Sequence, residues 1–212
     1  MPNATNKLFI AGLLAVLPAS AGHRNLTANT PAAGEILVCV NSSNYAAASA
    51  LNLAKTITSR VFLTAGVSVD WHSFAAAACQ GSHQNQTVIL DISTDTRPSE
   101  HVGAMAYALP YEGAHIVVLF DRIQRSAAGP TMLSAMLAHV MTHEIAHLLQ
   151  GISRHSASGV MKAHWDAKDF ADMARAPLPF APEDIDLIQR GLIGRAAGST
   201  SAVPSVAIAK LQ

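Results

Sequence analysis

His143-Glu144-Ile145-Ala146-His147 lies in the last third of a run whose apolar residues recur at helical spacing. Gly129-Pro130-Thr131 opens the run. Leu133, Met136, Leu137, Val140, Met141, Ile145, Leu148 and Leu149 then follow in steps of one, three and four, and Gly151 closes it. The pattern predicts one long helix. On a helix, side chains four residues apart stand one turn apart on the same face, so the imidazoles of His143 and His147 can converge on one metal ion. Glu144 stands one step round, beside the position such a pair leaves open, and fits a general base acting on water. Five residues alone are a short pattern, and its weight depends on the chain around it.

Two histidines do not complete a catalytic zinc site; a third protein ligand is needed, with one position left for water. The downstream candidates are His155, His164, Asp166, Asp169 and Glu183. Gly151 can adopt positive φ, end the helix and turn the chain back. His155, four residues past that turn, is the donor best suited to zinc. Glu183 is the next choice, but it also belongs to an acidic first turn (Glu183, Asp184, Asp186) of a helix predicted over Pro182–Arg190 and stopped by Gly191, where carboxylates favour the positive helix end. Asp166 and Asp169 come third, and His164 reads as packing or capping near Trp165.

This order of parts resembles the metzincin metallopeptidases, whose motif is H-E-x-x-H-x-x-G-x-x-H followed by a methionine turn. Here the chain reads His143-Glu144-x-x-His147-Leu-Leu-Gln-Gly151-Ile-Ser-Arg-His155, then Ser156-Ala-Ser-Gly159-Val160-Met161. One residue is added between His147 and Gly151 and another between Gly151 and His155. Carried over residue by residue, the resemblance implies His143, His147 and His155 as ligands of one catalytic Zn²⁺. It implies Glu144 as base and proton shuttle, and Met161 as the hydrophobic floor beneath the metal. Without the resemblance, Met161 reads as a core methionine filling a gap. The resemblance covers roughly residues 100–191 and carries no narrower subfamily.

Ahead of the helix the chain alternates short apolar runs with turn residues. Glu35–Val40, Val67–Trp71, Thr87–Ile92 and His115–Phe120 read as strands, and an Ala- and Leu-rich helix fits about 45–60, capped from Asn41-Ser-Ser-Asn44. Ala104–Leu109, closed by Pro110, reads as an edge strand. Either it is an ordinary edge, or Ala106, Tyr107 and Ala108 pair with the backbone of an extended peptide. Tyr107 and Tyr111 both stand near enough in sequence to line such a cleft. The fold class is therefore α+β (mixed α/β): a twisted sheet with an N-terminal helix, an active-site helix and a C-terminal helix, zincin-like by the resemblance.

The rest of the chain bounds the function. Fourteen basic and fourteen acidic residues leave a formal charge of zero, so no basic patch points to nucleic acid. Lys7, the apolar stretch Leu8–Leu17 and Pro18-Ala19-Ser20-Ala21 read as a signal peptide over 1–21. The stretch is about half the ~20 residues that span a bilayer, which disfavours a stable membrane anchor. A secreted or periplasmic domain over 22–195 follows, with 196–212 a disordered tail of small residues. In such a compartment Cys39 and Cys79 fit a disulfide, with two buried thiols as the alternative. These readings converge on a secreted zinc metalloendopeptidase acting on peptide or protein. A zinc hydrolase of a non-peptide amide and a non-catalytic zinc-containing binding protein stand as alternatives. Nothing in the sequence fixes the oligomeric state.

Overall fold

The computed structural model describes residues 34–42, 47–80, 87–94, 103–109, 114–197 and 208–210, within one unit, Ala33–Gln212. The expected signal peptide, Asn44 and Tyr111 lie outside the described residues. β1 (Gly34–Ser42), β2 (Val67–Ser73), β3 (Thr87–Ser93) and β5 (His115–Leu119) are parallel neighbours. Parallel strands need a crossover, and α1 (Ala48–Thr64) provides it between β1 and β2. β4 (Ala104–Leu109) pairs antiparallel to β5 and to β6 (Ile208–Lys210), giving the order β2-β1-β3-β5-β4-β6.

One face of the sheet carries the core. Val38 lies opposite Val88, Val40 opposite Leu90, and Leu90 opposite Ile116, and all of these are buried. The long helix α3 (Pro130–Gln150) packs beside α1 and against β4 and β5. Thr58 of α1 donates to Ala138 O at 3.1 Å, a polar contact inside the α1–α3 interface. Every residue of α3 from Ser134 to Gln150 is buried, polar ones included. The helix therefore has no solvent face along that length, and its histidines and glutamate must find partners within the protein. Among the described residues no helix is long and apolar enough to cross a membrane.

Several expectations need correction. α1 begins at Ala48, later than predicted, and its N-cap Ala47 makes no side-chain bond. The strand expected to reach Phe120 stops at Leu119, and a short helix, α2 (Phe120–Ser126), starts there. A second short helix, α4 (Ala167–Met173), forms where none was predicted, begun by Asp166, whose side chain accepts from Lys168 N and Asp169 N. α5 (Pro182–Ala196) runs through Gly191 instead of stopping there. The reason is packing: a Cβ at Gly191 would overlap Leu149 O of α3, so glycine marks a close helix crossing. The segment read as a disordered tail contributes a strand, β6 (Ile208–Lys210), antiparallel to β4. β4 is thus not the outermost strand.

Cys39 and Cys79 are joined by a disulfide with a Cα–Cα distance of 5.9 Å, tying β1 to the 3₁₀ turn Ala77–Cys79. The bond closes a loop of 40 residues, so chain entropy alone assigns it about 4 kcal/mol of stability. Replacing both cysteines by alanine should lower the urea-unfolding free energy by an amount of that order. A loss below about 1 kcal/mol would mean that the sheet constrains this loop without the bond.

Candidate metal centre

Three imidazoles meet at the C-terminal end of α3. Among the described residues, His143, His147 and His155 form the group able to hold a metal ion, with one nitrogen of each lying within 4.8 Å of the others. His143 Nε2 is 3.0 Å from His147 Nε2, which is 3.3 Å from His155 Nε2. His143 and His147 are buried and His155 is half-buried, so the group opens toward solvent on the His155 side. Glu144 follows His143 on the same turn and is fully buried.

Backbone carbonyls orient the first two rings. His143 Nδ1 is 2.9 Å from Val160 O, and His147 Nδ1 is 3.2 Å from Ile152 O. A carbonyl oxygen only accepts, so both Nδ1 atoms carry the proton. In the neutral ring Nε2 then holds a bare lone pair. Burial pushes the His143 pKa down to about 3, aided by the neighbouring His147 and His155 and opposed by the bond to Val160. Burial, with His155, likewise pushes His147 down to about 4. His155 is lowered by burial and by exposed His164 nearby.

At neutral pH two lone pairs therefore face each other at 3.0 Å, an arrangement that only a shared cation or proton relieves. Zinc held tetrahedrally by nitrogens at ~2.0–2.1 Å sets them about 3.3 Å apart, close to both observed spacings. The donor set fits the ion in number and kind, and two of its three separations match, with the third within 4.8 Å.

The loop after α3 brings the third ring in. Gly151 has φ 68° and donates to His147 O at 3.0 Å, ending the helix in a left-handed cap. The chain crosses to Ser156, which donates through its backbone to Met161 O at 2.8 Å. Met161 is fully buried in a tight turn closed by Lys162 N to Gly159 O at 3.3 Å, next to the Val160 that orients His143.

The other candidate ligands are used elsewhere. Asp166 and Asp169 form the capping box of α4 and pair with Lys162. Glu183 is exposed on the first turn of α5, and His164 is exposed beside His155. Of the substrate-strand residues, Ala106 and Ala108 are buried and Tyr107 is half-buried, with Ala209 opposite Ala106 and Ile208 opposite Tyr107.

Sequence reasoning missed His139, Trp165 and Asp184. His139 stands one turn before His143, so the i, i+4 stripe was there to extend. Its ring is spent on structure: Nδ1 donates to Ala135 O at 2.6 Å and Nε2 accepts from Leu178 N at 2.8 Å. Trp165 lies edge-on to His139 and His143, with ring centroids 6.1 and 5.9 Å away. Asp184 was read only as a helix-end carboxylate. Its bonds to the residues flanking His155 are tertiary and leave no local signal.

No protein-family model matches the chain, and no curated protein matches it. Among solved structures, it is similar to the crystal structure of an archaemetzincin from Methanopyrus kandleri, with a TM-score of 0.52 and 15% sequence identity. The match covers 77% of this chain and 99% of that one. At this identity the likeness is one of fold: a mixed α/β, zincin-like arrangement, here with three histidines gathered at one point.

Depressed pKa values have a consequence for stability. The unfolded chain binds protons at these histidines near pH 6.5, whereas the folded chain resists until about pH 3 to 4. Their contribution is complete above about pH 6.5 and is lost as pH falls toward 4. Metal-free protein should therefore unfold at lower urea at pH 5 than at pH 7, and a His143→Gln variant should show a shallower dependence. A flat wild-type profile over that range would contradict the geometry.

Proposed function

We propose that this chain is a secreted zinc-dependent metalloendopeptidase. The observation that carries this reading is the mutual approach of the Nε2 atoms of His143, His147 and His155, with Glu144 on the same turn as His143. In this reading those three histidines hold one zinc ion. The ion's chemistry is that of a Lewis acid that lowers the pKa of water and polarises a scissile carbonyl. The zincin-like fold supports the reading, as does a site with three histidines and no fourth protein ligand among the described residues. The signal-peptide pattern over 1–21 supports export.

The protein's own groups then divide the work. The carbonyls of Val160 and Ile152 keep His143 and His147 in the tautomer that presents Nε2. Glu144 takes a proton from the attacking water at its carboxylate and returns it to the leaving amine. Met161, buried in the same turn as Val160, is the apolar floor of the site. Ala106, Tyr107 and Ala108 of β4 supply backbone groups to an extended peptide. That edge is paired with β6, so a peptide reaches it only by displacing Ile208–Lys210.

Two experiments test this. Glu144→Gln should retain zinc, measured by metal analysis, and lose at least about 10²-fold in kcat on a peptide-library substrate. Undiminished hydrolysis by that variant, or hydrolysis that survives chelation in the wild type, would overturn the assignment. Ending the chain after Ala197 should raise kcat/KM on the same substrates by about tenfold, the effect of ~1.4 kcal/mol of displaced strand pairing. An unchanged kcat/KM would mean that substrate does not use the β4 edge.

A further inference from the structure

The third histidine touches the two rings on α3 but stands on chain that belongs to no helix or strand, so its backbone needs an anchor of its own. Asp184, in the first turn of α5, is fully buried, and one of its oxygens reaches the residues on both sides of His155. Oδ1 accepts from Ser156 Oγ at 2.6 Å and from Arg154 Nη1 at 3.3 Å. The other oxygen, Oδ2, accepts from Ala181 N at 3.2 Å and caps the helix. The two jobs fall on different atoms, so helix capping does not account for the first.

The brace continues in both directions. The Ser156 backbone N–H donates to Met161 O at 2.8 Å, which links the His155 segment to the turn whose Val160 O orients His143. On the far side α5 is seated firmly. Gly191 lies against Leu149 O, Arg195 donates to Leu148 O, and Gln189 donates to Ala65 O at the end of α1. Asp184 therefore couples the position of His155 to the packing of α5 on α3. Arg154 is 43% exposed and Asp184 is not, so Ser156 is the better-fixed of the two donors.

We propose that Asp184 is a positioning residue for the metal centre, clamping Arg154 and Ser156 so that His155 completes the ligand set. The inference rests on the reading of His143, His147 and His155 as the zinc ligands. It assigns part of the metal affinity to a carboxylate that touches neither the metal nor a ligand. Hydrogen-bonded groups behind metal ligands are worth about 10- to 100-fold in affinity, and Asp184 acts one residue further back, through the chain on either side of the ligand.

The test uses the full chain and four variants. Zinc affinity is measured by competition with a chromophoric chelator, and ligand geometry by the visible spectrum of the Co²⁺-substituted protein. Asp184→Asn and Ser156→Ala should each weaken zinc by at least about tenfold and change the Co²⁺ spectrum in the same sense. Ile188→Ala, which removes a fully buried side chain of α5, should lower the melting temperature but leave affinity and spectrum unchanged. Ser156→Ala keeps the cap on α5 and decides the matter if Asp184→Asn fails to fold. Wild-type affinity in Ser156→Ala, or an equal loss in Ile188→Ala, would overturn the proposal. His155→Ala separates the two levels: if it leaves zinc affinity and Co²⁺ spectrum intact, the ligand assignment itself is wrong, whatever Asp184 does.

Discussion

The centre depends on two hydrogen bonds from imidazole Nδ1 to backbone carbonyls, His143 to Val160 and His147 to Ile152. They fix which nitrogen carries the proton, and so they fix where the lone pairs point. Burial keeps the rings neutral, and neutrality makes the lone pairs available. Neither carbonyl lies on α3. Both belong to the chain that follows it, so the helix supplies the two imidazoles and the loop supplies their orientation. Two histidines at i and i+4 on a solvent-facing helix would share the spacing and have neither the tautomer nor the desolvation.

That loop has to be rigid without much regular structure of its own. Polar contacts provide the rigidity. Val160 N donates to Pro179 O at 2.9 Å, Leu178 N donates to His139, and Lys162 pairs with Asp166 and Asp169 at the start of α4. A buried polar helix face is unfavourable unless each group finds a partner. Here His139, His143 and His147, three successive turns of α3, each take one from the segment after residue 151. The close crossing at Gly191 brings α5 near enough for Asp184 to join the same network. A larger residue at 191 would push the two helices apart and pull that anchor from the loop.

Much of the fold was legible because its signals are local. Apolar, β-branched runs gave β1, β3 and β5 and alternation gave β2, whereas Pro110 after Ala104–Leu109 marked β4 as an edge strand, a place that β6 takes instead. Gly129, Pro130 and Gly151 bracketed α3 closely, since Pro at a first turn and Gly at a left-handed cap answer to backbone geometry alone. The misreadings are tertiary. Gly191 looks like a helix stop in sequence and is a packing glycine in space. Phe120 continues an apolar run, but its side chain is buried at the start of α2. β6 is three residues in a small-residue tail and exists only as a partner for β4. In the site, His143, Glu144 and His147 were read from spacing, whereas Asp184, 28 residues beyond Ser156, was recognisable only as a helix-end carboxylate.

The two extra residues between His147 and His155 bear on how such a centre tolerates variation. Lengthening the path between two ligands from six steps to eight raises the loop-closure cost by only about 0.3 kcal/mol. Spacing is therefore a weak constraint on whether a third ligand can arrive. What a longer path does lose is the fixed direction of approach, because added residues bring added conformations. The interactions that restore it sit on both sides of His155, at Arg154 and Ser156, and end on one buried carboxylate. A chain with a shorter path can leave orientation to the loop itself. In the proposed reading this chain recovers it from α5, through a contact that the ligand motif does not contain.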